Sequence, residues 1–166
     1  MIFADIPDAT SIFVDANAFV YALAPDPQFG PPAGQLLERV ERGDLLGFTS
    51  SHCLSDAAHR LMCLEACATF QWPFAGIANR LKHHAAQIQQ LNKYRQAMDA
   101  VVRIGMQTIV TSAHHVLLAT AISQQYGLLS GDALIVVLMQ ESGLAHVASN
   151  DADFDRVPGI TRCTRV

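Results

Sequence analysis

The sequence contains few charged residues and no long hydrophobic run. Asp, Glu, Lys and Arg make up 16% of its 166 residues, whereas hydrophobic residues make up 51%. This composition excludes a disordered chain and supplies enough apolar material for one continuous core. No apolar run reaches the roughly 18 residues that cross a bilayer, and residues 1–8 lack the basic and apolar regions of a signal peptide. We therefore expect a cytoplasmic protein that does not bind a membrane.

Cysteine is also scarce, and the four cysteines form no CxxC pair. In a domain of this size they need not form disulfides, so a reducing compartment is the simpler interpretation. His59, Cys63 and Cys67 are spaced at i, i+4 and i+8 along one predicted helix. A single straight helix cannot wrap three ligands tetrahedrally around a zinc ion. We therefore interpret these residues as a face of small side chains that packs against neighbouring elements.

Positive charge is in the minority, with 11 Lys and Arg against 15 Asp and Glu and a net charge of −4. A protein that coats nucleic acid non-specifically would need the opposite balance. A metal-dependent nuclease remains compatible with this charge, because it concentrates acids at its centre and keeps phosphate-binding residues at the rim. Six basic residues are candidate RNA contacts: Arg60, Arg80, Lys82, Lys93, Arg95 and Arg156. Lys and Arg on helices usually form only a solvated face, so we expect no more than about a third of the six to bind RNA. Arg60 is the best placed, one helical turn beyond Asp56.

Short apolar segments alternate with helical segments along the whole chain. We predict strands at 11–14, 45–49, 107–110 and 145–149, the last of these being the final strand. We predict helices at 19–23, 33–42, 52–69 (capped by Ser51), 74–105 (one long helix or a helical pair), 112–125 (capped by Thr111 or Ser112) and 131–143, with a proline-rich loop at 25–32. This alternation predicts an α/β fold with a mostly parallel sheet and helices on both faces, in a single domain that spans residues 1–166.

Four aspartates fall where such a fold brings residues together. Asp15 and Asp151 each come shortly after a strand, at the carboxyl edge where open α/β sheets bind ligands. Asp132 opens a helix after a short extended segment, and Asp56 lies early in a helix that follows a strand. Right-handed crossover connections place these positions at the same edge of the sheet. We therefore expect the four carboxylates to share one pocket.

Carboxylates that lie close together raise one another's pKa and destabilise the fold unless a cation neutralises them. Mg²⁺ and Mn²⁺ prefer oxygen ligands and retain several waters, so a few carboxylates and a substrate phosphate complete their coordination. The bound ion lowers the pKa of a water from about 15.7 towards neutrality and orients it for attack on a phosphodiester. The four aspartates therefore predict a divalent-metal site that hydrolyses phosphodiester bonds.

Each of these aspartates taken alone has an ordinary explanation. Asp15 could simply end a strand, and Asp151 could be a turn residue. Asp132 could be favoured by the dipole at a helix N-terminus. Asp56 and Arg60 could form an i,i+4 ion pair on a helix surface. The metal-site interpretation therefore depends on the joint placement of the acids at one edge of the sheet.

Three segments carry a resemblance to a known family. Residues 14–19 (Val-Asp-Ala-Asn-Ala-Phe), residues 127–135 (Gly-Leu-Leu-Ser-Gly-Asp-Ala-Leu-Ile) and residues 148–160, which begin Ala-Ser-Asn-Asp-Ala-Asp-Phe, occur in that order. They resemble the opening, third acidic and C-terminal motifs of PIN-domain ribonucleases, a family that includes VapC-type toxins. The match extends over nearly the whole chain. The resemblance implies a PIN-like three-layer α/β/α sandwich.

The resemblance also implies roles for individual residues. It makes Asp15, Asp132 and Asp151 metal ligands. Asn17 and Ser149 match polar positions that support the metal or its waters. Asp153 matches an additional acid of the last motif and is a further candidate ligand.

One position departs from the family pattern. The family usually has Glu early in the second motif's helix, where this chain has Asp56. Asp is one methylene shorter, so we expect it to bind the metal through a water or to shift the ion. Glu65 lies too far along the same helix to replace it. His52, at the start of this helix, could approach the acidic edge, although we interpret it as an ordinary polar residue of a helix start.

The resemblance implies a metal-dependent endoribonuclease that uses Mg²⁺ or Mn²⁺ to cut RNA. It further implies the toxin of a type II toxin–antitoxin pair, with an antitoxin protein as partner and a homodimeric assembly. A catalytically weak PIN-like module that binds RNA or protein is the alternative, because Asp56 replaces the usual Glu. A phosphotransfer enzyme with Asp15 as nucleophile is a third hypothesis, but that chemistry prefers a second acid at position 17, where this chain has Asn17.

Overall fold

A sheet of five parallel strands forms the centre of the protein. The computed structural model describes residues 1–24 and 26–164, and the strands within these residues are β1 (Ser11–Val14), β2 (Leu46–Ser50), β3 (Gln107–Ile109), β4 (His146–Ala148) and β5 (Thr161–Cys163). Their order across the sheet is β3-β2-β1-β4-β5. Each neighbouring pair is parallel, which confirms the predicted parallel sheet.

Helices connect the strands. In the described part of the chain the α-helices are α1 (Ala16–Leu23), α2 (Gly30–Glu41), α3 (Ser51–Phe70), α4 (Ile77–Lys82), α5 (Ala85–Ile88), α6 (Lys93–Arg103), α7 (Ala113–Tyr126) and α8 (Ser130–Glu141). Two 3-10 helices, Phe3–Asp5 and Ala152–Arg156, and one isolated parallel bridge between Ile2 and Thr164 complete the secondary structure of these residues.

Hydrophobic residues cover both faces of the sheet. Neighbouring residues of a strand point to opposite faces, and Ile12 and Phe13 of β1 are both fully buried. Ile12 belongs to one buried cluster with Leu36 of α2. Phe13 belongs to a larger cluster that includes Val136 of α8. The predicted three-layer α/β/α arrangement is therefore confirmed.

Helix starts differ from the predictions where local hydrogen bonds decide them. Ser50, rather than Ser51, caps α3, because its hydroxyl accepts a hydrogen bond from the Cys53 N–H at 3.1 Å. The Ser51 hydroxyl instead accepts from the Thr111 N–H. The predicted loop at 25–32 was wrong for residues 30–32, which form the first turn of α2. Proline is tolerated in the first turn of a helix, because the N–H groups there have no partner within the helix. Pro25 lies outside the described residues.

The predicted helix or helical pair at 74–105 is three shorter helices. α4, α5 and α6 are separated at residues 83–84 and 89–92. The Glu65 carboxylate accepts hydrogen bonds from the backbone N–H groups of Asn92, Lys93 and Tyr94 at 2.8–3.0 Å. These groups have no partner within a helix, so the carboxylate makes α6 begin as a new helix.

The strand predicted as the last, at 145–149, was not the last. β5 lies beyond it at the edge of the sheet and pairs with β4 in the register Ala148 to Cys163. Only Cys163 of this three-residue strand is buried. A strand this short and this exposed has no hydrophobic alternation from which it could be predicted.

Among residues 1–24 and 26–164, no single helix combines the length and the apolar character needed to cross a membrane. α7 and α8 would satisfy both requirements only as a pair, and the pair is bent by 109°.

Candidate metal site at the carboxyl edge of the sheet

The pairing of β1 with β4 brings the first two polar residues of the site together. Val14 lies opposite Ala148 in the parallel register, so Asp15 and Ser149 leave adjacent strands side by side. The Asp15 N–H continues the pairing by donating to the Ala148 carbonyl at 3.2 Å. Because the chain leaves β1 for β2 on one side and reaches β4 on the other, this edge is a topological switch point, where open α/β sheets bind ligands.

Asp15 is buried and held by two side chains. Only 6% of its surface is exposed. The Ser149 hydroxyl donates to its Oδ2 at 2.8 Å, and the Asn17 amide donates to the same oxygen at 2.9 Å. Burial raises the pKa of Asp15, while the hydrogen bonds from Ser149 and Asn17 and the nearby Arg60 charge oppose that rise. The carboxylate is therefore fixed in one orientation in a poorly solvated position.

Three further aspartates converge at this edge. One carboxylate oxygen of each of Asp132, Asp151 and Asp153 lies within 4.8 Å of the others, and all three side chains are half-buried. Asp132 stands in the first turn of α8. Asp151 caps the 3-10 helix that follows β4, where its Oδ1 accepts from the Asp153 N–H at 2.9 Å. The first turn of α8 and the start of the 3-10 helix after β4 thus bring Asp132 together with Asp151 and Asp153.

Ser149 connects Asp15 with the three-acid group. Its hydroxyl donates to Asp15 and accepts a hydrogen bond from the Asp151 N–H at 3.1 Å. One buried hydroxyl therefore sets the relative positions of Asp15 and the loop that carries Asp151.

The acids act on one another electrostatically. Burial, followed by the negative charges of Asp151, Asp15 and Asp153, raises the pKa of Asp132 to about 6. Such a concentration of carboxylates costs free energy when all are ionised. A hard divalent cation removes this cost, because its charge neutralises the group and its coordination sphere prefers carboxylate oxygens. The oxygen donors at this edge therefore fit Mg²⁺ or Mn²⁺.

Asp56 lies near this group without joining it. Its side chain, 45% exposed, is 3.7 Å from Arg60 on the same helix. The Arg60 guanidinium also donates to the Asn17 side-chain oxygen, and the Asn17 amide binds Asp15. Arg60 is thus joined to the buried end of the site, while Asp56 holds it from the exposed side.

Arg156 and Glu65 have structural partners. Arg156, one of the candidate RNA contacts, pairs with Asp153 and donates to the Gly127 carbonyl, both at 2.9 Å. It therefore ties the 3-10 helix to the loop that precedes α8. Glu65 is engaged at the start of α6, where backbone hydrogen bonds outweigh burial and lower its pKa.

His52 approaches the acidic edge, although its sequence position suggested only an ordinary residue of a helix start. Its Nε2 lies 3.4 Å from where a Cβ atom on Gly131 would be, directly before Asp132. The i,i+4 spacing of His52 from Asp56 was the available signal in the sequence.

A groove beside this edge has no counterpart in the sequence motifs. It has a volume of about 460 Å³ and opens between α1, α3 and α6, with Arg60, Leu64, Phe74, Lys93 and Tyr94 among its lining residues. No motif marks the groove, because its residues come from separate helices and from the loop before α4.

Three solved structures share this fold over most of their length. They are VapBC2 from Rickettsia felis bound to a promoter DNA fragment (TM-score 0.56, 16% identity, 93% of this chain and 98% of that one), VapC20 from Mycobacterium tuberculosis (0.55, 16%, 87% and 92%) and PAE2754 from Pyrobaculum aerophilum (0.55, 14%, 92% and 89%). A comparison with curated protein sequences gives no significant match.

The sequence itself matches one family model. The model is described as the PIN domain, and it matches residues 12–160. That range contains β2, β3 and β4, all of β1 except its first residue, and every acid of the edge, and it ends directly before β5. The match extends over far more than half of the sequence, so the chain belongs to the PIN domain family.

Proposed function

We propose that this protein is a metal-dependent endoribonuclease. The observation that carries the proposal is the buried Asp15, connected through Ser149 to the group of Asp132, Asp151 and Asp153. These acids lie at the switch point of a parallel sheet in a PIN domain. Acids gathered at such an edge are suited to a divalent ion and a phosphodiester substrate.

Asp15, Asp132, Asp151 and Asp153 would hold Mg²⁺ or Mn²⁺. When bound, the ion supplies a water of lowered pKa and neutralises charge on the scissile phosphate. Ser149 and Asn17 orient the Asp15 carboxylate. Asp56 remains a predicted ligand that acts through a water, because its exposed side chain is directed towards Arg60.

Arg60 would contact the substrate. Its guanidinium is held by Asn17 and Asp56 and its side chain is 40% exposed, so it can also approach a phosphate. A charge-assisted contact of this kind positions the phosphodiester without taking part in bond breaking.

The biological setting we propose is a type II toxin–antitoxin pair. The VapC20 structure is described as that of a Sarcin–Ricin loop cleaving toxin, and VapBC2 as bound to DNA from its promoter. On that basis the present chain would be a cytoplasmic toxin, folded as one domain over residues 1–166 and neutralised by an antitoxin protein.

Exposed apolar residues at and beside α7 (Val110, Val116, Leu117 and Leu129) would form a homodimer interface. Leu117→Lys should then yield a monomer in light scattering, whereas Leu46→Lys, on β2, should not.

The decisive experiment combines cleavage with metal binding. The protein is incubated with structured RNA with and without Mn²⁺, and Mn²⁺ binding is measured by calorimetry. Asp15→Asn should abolish cleavage and weaken Mn²⁺ binding. Asp5→Asn removes an exposed acid of the first 3-10 helix, which is not part of the acidic edge, and should change neither. Cleavage that persists without metal, or in Asp15→Asn, contradicts the proposal.

A non-catalytic binding module is the second candidate function. It is favoured by the position of Asp56 outside the three-acid group. It predicts RNA or protein binding without measurable Mn²⁺ affinity, so the same calorimetric titration separates the two functions.

A further inference from the structure

The positive charge of this acidic protein is concentrated in one segment. From residue 66 to residue 98 there is no Asp or Glu, and the segment contains Arg80, Lys82, Lys93 and Arg95. Its formal charge is therefore +4, whereas the whole chain carries −4, so the remainder carries −8. The segment corresponds to the end of α3, to α4 and α5, and to the first half of α6. A chain whose net charge is negative therefore contains one cationic segment.

The cations of this segment are exposed and form no salt bridges. Five other arginines each pair with an aspartate: Arg39, Arg42, Arg60, Arg156 and Arg162. Within residues 1–24 and 26–164, the four cations of the segment form no such pair, and Arg103 is the one other described Lys or Arg of which this is true. All four side chains lie at the surface. Lys93 helps to lower the pKa of the neighbouring Glu65 carboxyl, but like the other three cations it remains exposed to a polyanion.

Aromatic rings accompany these charges. The Arg80 guanidinium lies 5.4 Å from the Trp72 ring centroid, and the Trp72 ring packs at 4.8 Å against Phe70. Phe74 is 63% exposed although it lines the groove. An exposed ring beside unpaired cations is the combination on which proteins stack the bases and hold the backbone of single-stranded nucleic acid.

The groove extends from this segment to Arg60, which is connected to the acidic edge. Phe74 and Tyr94 line it together with two cations, Arg60 and Lys93, and the groove is also lined by two acids, Asp26 and Glu65. The Arg60 guanidinium donates a hydrogen bond to the Asn17 side-chain oxygen, and the Asn17 amide donates one to Asp15. An extended strand in the groove would therefore reach Arg60, which is joined to Asp15 through the side chain of Asn17.

We propose that residues 66–98 and the adjoining groove bind the single-stranded part of an RNA substrate. In this arrangement the exposed Phe74 ring stacks on a base, and Lys82, Lys93 and Arg95 contact phosphates. Arg60 contacts a phosphate of the strand at the end of the groove that lies beside the acidic edge. The inference rests on the proposed nuclease function for the identity of the polymer, and it assigns RNA strand binding to a surface separate from the metal ligands.

Binding is tested apart from cleavage, in EDTA, with a fluorescein-labelled oligouridine of about 12 nucleotides. Fluorescence anisotropy across a range of salt concentrations gives the affinity and its salt slope. The triple variant Lys82→Gln, Lys93→Gln, Arg95→Gln leaves the Arg80–Trp72 pair intact. Its log–log salt slope should be smaller by about 2, because each phosphate that a cation neutralises contributes about 0.7 to the slope. An unchanged slope and affinity overturn the proposal.

A matched pair of variants tests the location. Lys93 and Arg103 are exposed cations at opposite ends of α6, and neither forms a salt bridge with a described residue. Lys93→Gln should weaken RNA binding several-fold, and Arg103→Gln should leave it unchanged. Equal effects of the two variants would indicate a diffuse charge effect and would contradict a surface confined to the segment.

Phe74 separates RNA from an apolar polypeptide as the occupant of the groove. Base stacking needs an aromatic ring, so Phe74→Leu should lose about tenfold in affinity while Phe74→Tyr retains it. Retained RNA affinity in Phe74→Leu would mean that the groove takes another occupant, such as an apolar peptide, and would overturn the assignment.

Failure of this inference is distinguishable from failure of the nuclease proposal. If Asp15→Asn abolishes Mn²⁺-dependent cleavage but the triple variant cleaves with unchanged KM, the nuclease stands and the RNA surface is elsewhere. If RNA binds through the segment but the wild-type protein cleaves nothing, the surface stands and the catalytic proposal fails.

Discussion

The Ser149 hydroxyl donates a hydrogen bond to Asp15 Oδ2 at 2.8 Å, although the two residues are 134 positions apart in the sequence. The parallel pairing of β1 with β4 makes them neighbours. The same hydroxyl accepts from the Asp151 N–H, so its one proton and one of its lone pairs are both used. A buried side chain with no freedom left to rotate fixes the geometry of the acids around it.

Replacing Ser149 by Ala should therefore weaken metal binding, although Ser149 is not itself one of the proposed metal ligands. Asp15 would be deprived of a donor in a buried position, which costs about 1–3 kcal/mol of folding free energy. Removal of an orienting partner reduces metal affinity by about 10- to 100-fold. Mn²⁺ calorimetry and urea unfolding measure the two effects. Ser142→Ala, at the exposed end of α8, is the control, and equal Mn²⁺ affinity in both variants would contradict the role given to Ser149.

Asp132 makes the stability of the metal-free protein depend on pH. Its pKa in the folded protein is about 6, above the ordinary value of 3.8, so the folded state binds this proton more tightly than the unfolded chain. Stability is therefore lost as pH rises from about 4 to above 6. Asp132→Asn cannot ionise and should be more stable than wild type above pH 6, by about 1 kcal/mol because solvent screens a half-buried group. The two proteins should converge at lower pH.

Thermal unfolding in EDTA at several pH values measures this difference. Addition of Mn²⁺ should reverse it, because an ion present at about 100 times its Kd stabilises the wild-type fold by about 2.7 kcal/mol. Asp132→Asn should gain less, since it lacks one ligand charge. Equal pH profiles for the two proteins in EDTA would mean that the other acids do not act on Asp132.

Glu65 should matter for folding and not for the metal. Its carboxylate accepts three backbone N–H groups at the start of α6, and hydrogen bonds to a charged group contribute about 1.5–3 kcal/mol each when well formed. Glu65→Ala should therefore lower the unfolding free energy by a few kcal/mol. Glu38→Ala, on the exposed face of α2, is the matched control. A change in Mn²⁺ affinity at a temperature where Glu65→Ala remains folded would contradict this division of roles.

The sequence predicted where the strands end, and therefore which aspartates lie at the carboxyl edge of the sheet. Buried parallel strands read as short apolar runs, and Asp15 and Asp151 follow two of them. Which polar residues touch depends on register and on loops. The contact between Ser149 and Asp15 follows from the pairing of Val14 with Ala148, which no local pattern encodes. The start of α6 likewise depends on Glu65, a residue of another helix.

Asp56 illustrates the limit of sequence spacing most clearly. Its helix starts at the correct edge, but the direction of a side chain depends on helix orientation as well as position. In the structure it faces Arg60 and remains outside the group formed by Asp132, Asp151 and Asp153. We therefore predict that this carboxylate, one methylene shorter than the usual Glu, does not reach the ion directly.

Lengthening this side chain is the sharpest test of that conclusion. Asp56→Glu adds one methylene and should increase Mn²⁺ affinity several-fold, because a carboxylate that reaches the ion needs no bridging water. Asp56→Asn keeps the length, removes the charge and should release Arg60 on one side, with a smaller change in metal binding than Asp15→Asn. Calorimetry with Mn²⁺ and RNA cleavage at saturating Mn²⁺ measure both variants. If Asp56→Glu binds Mn²⁺ no better than wild type while Asp56→Asn binds it as poorly as Asp15→Asn, the aspartate is already a direct ligand and the departure from the family pattern has no consequence for the site.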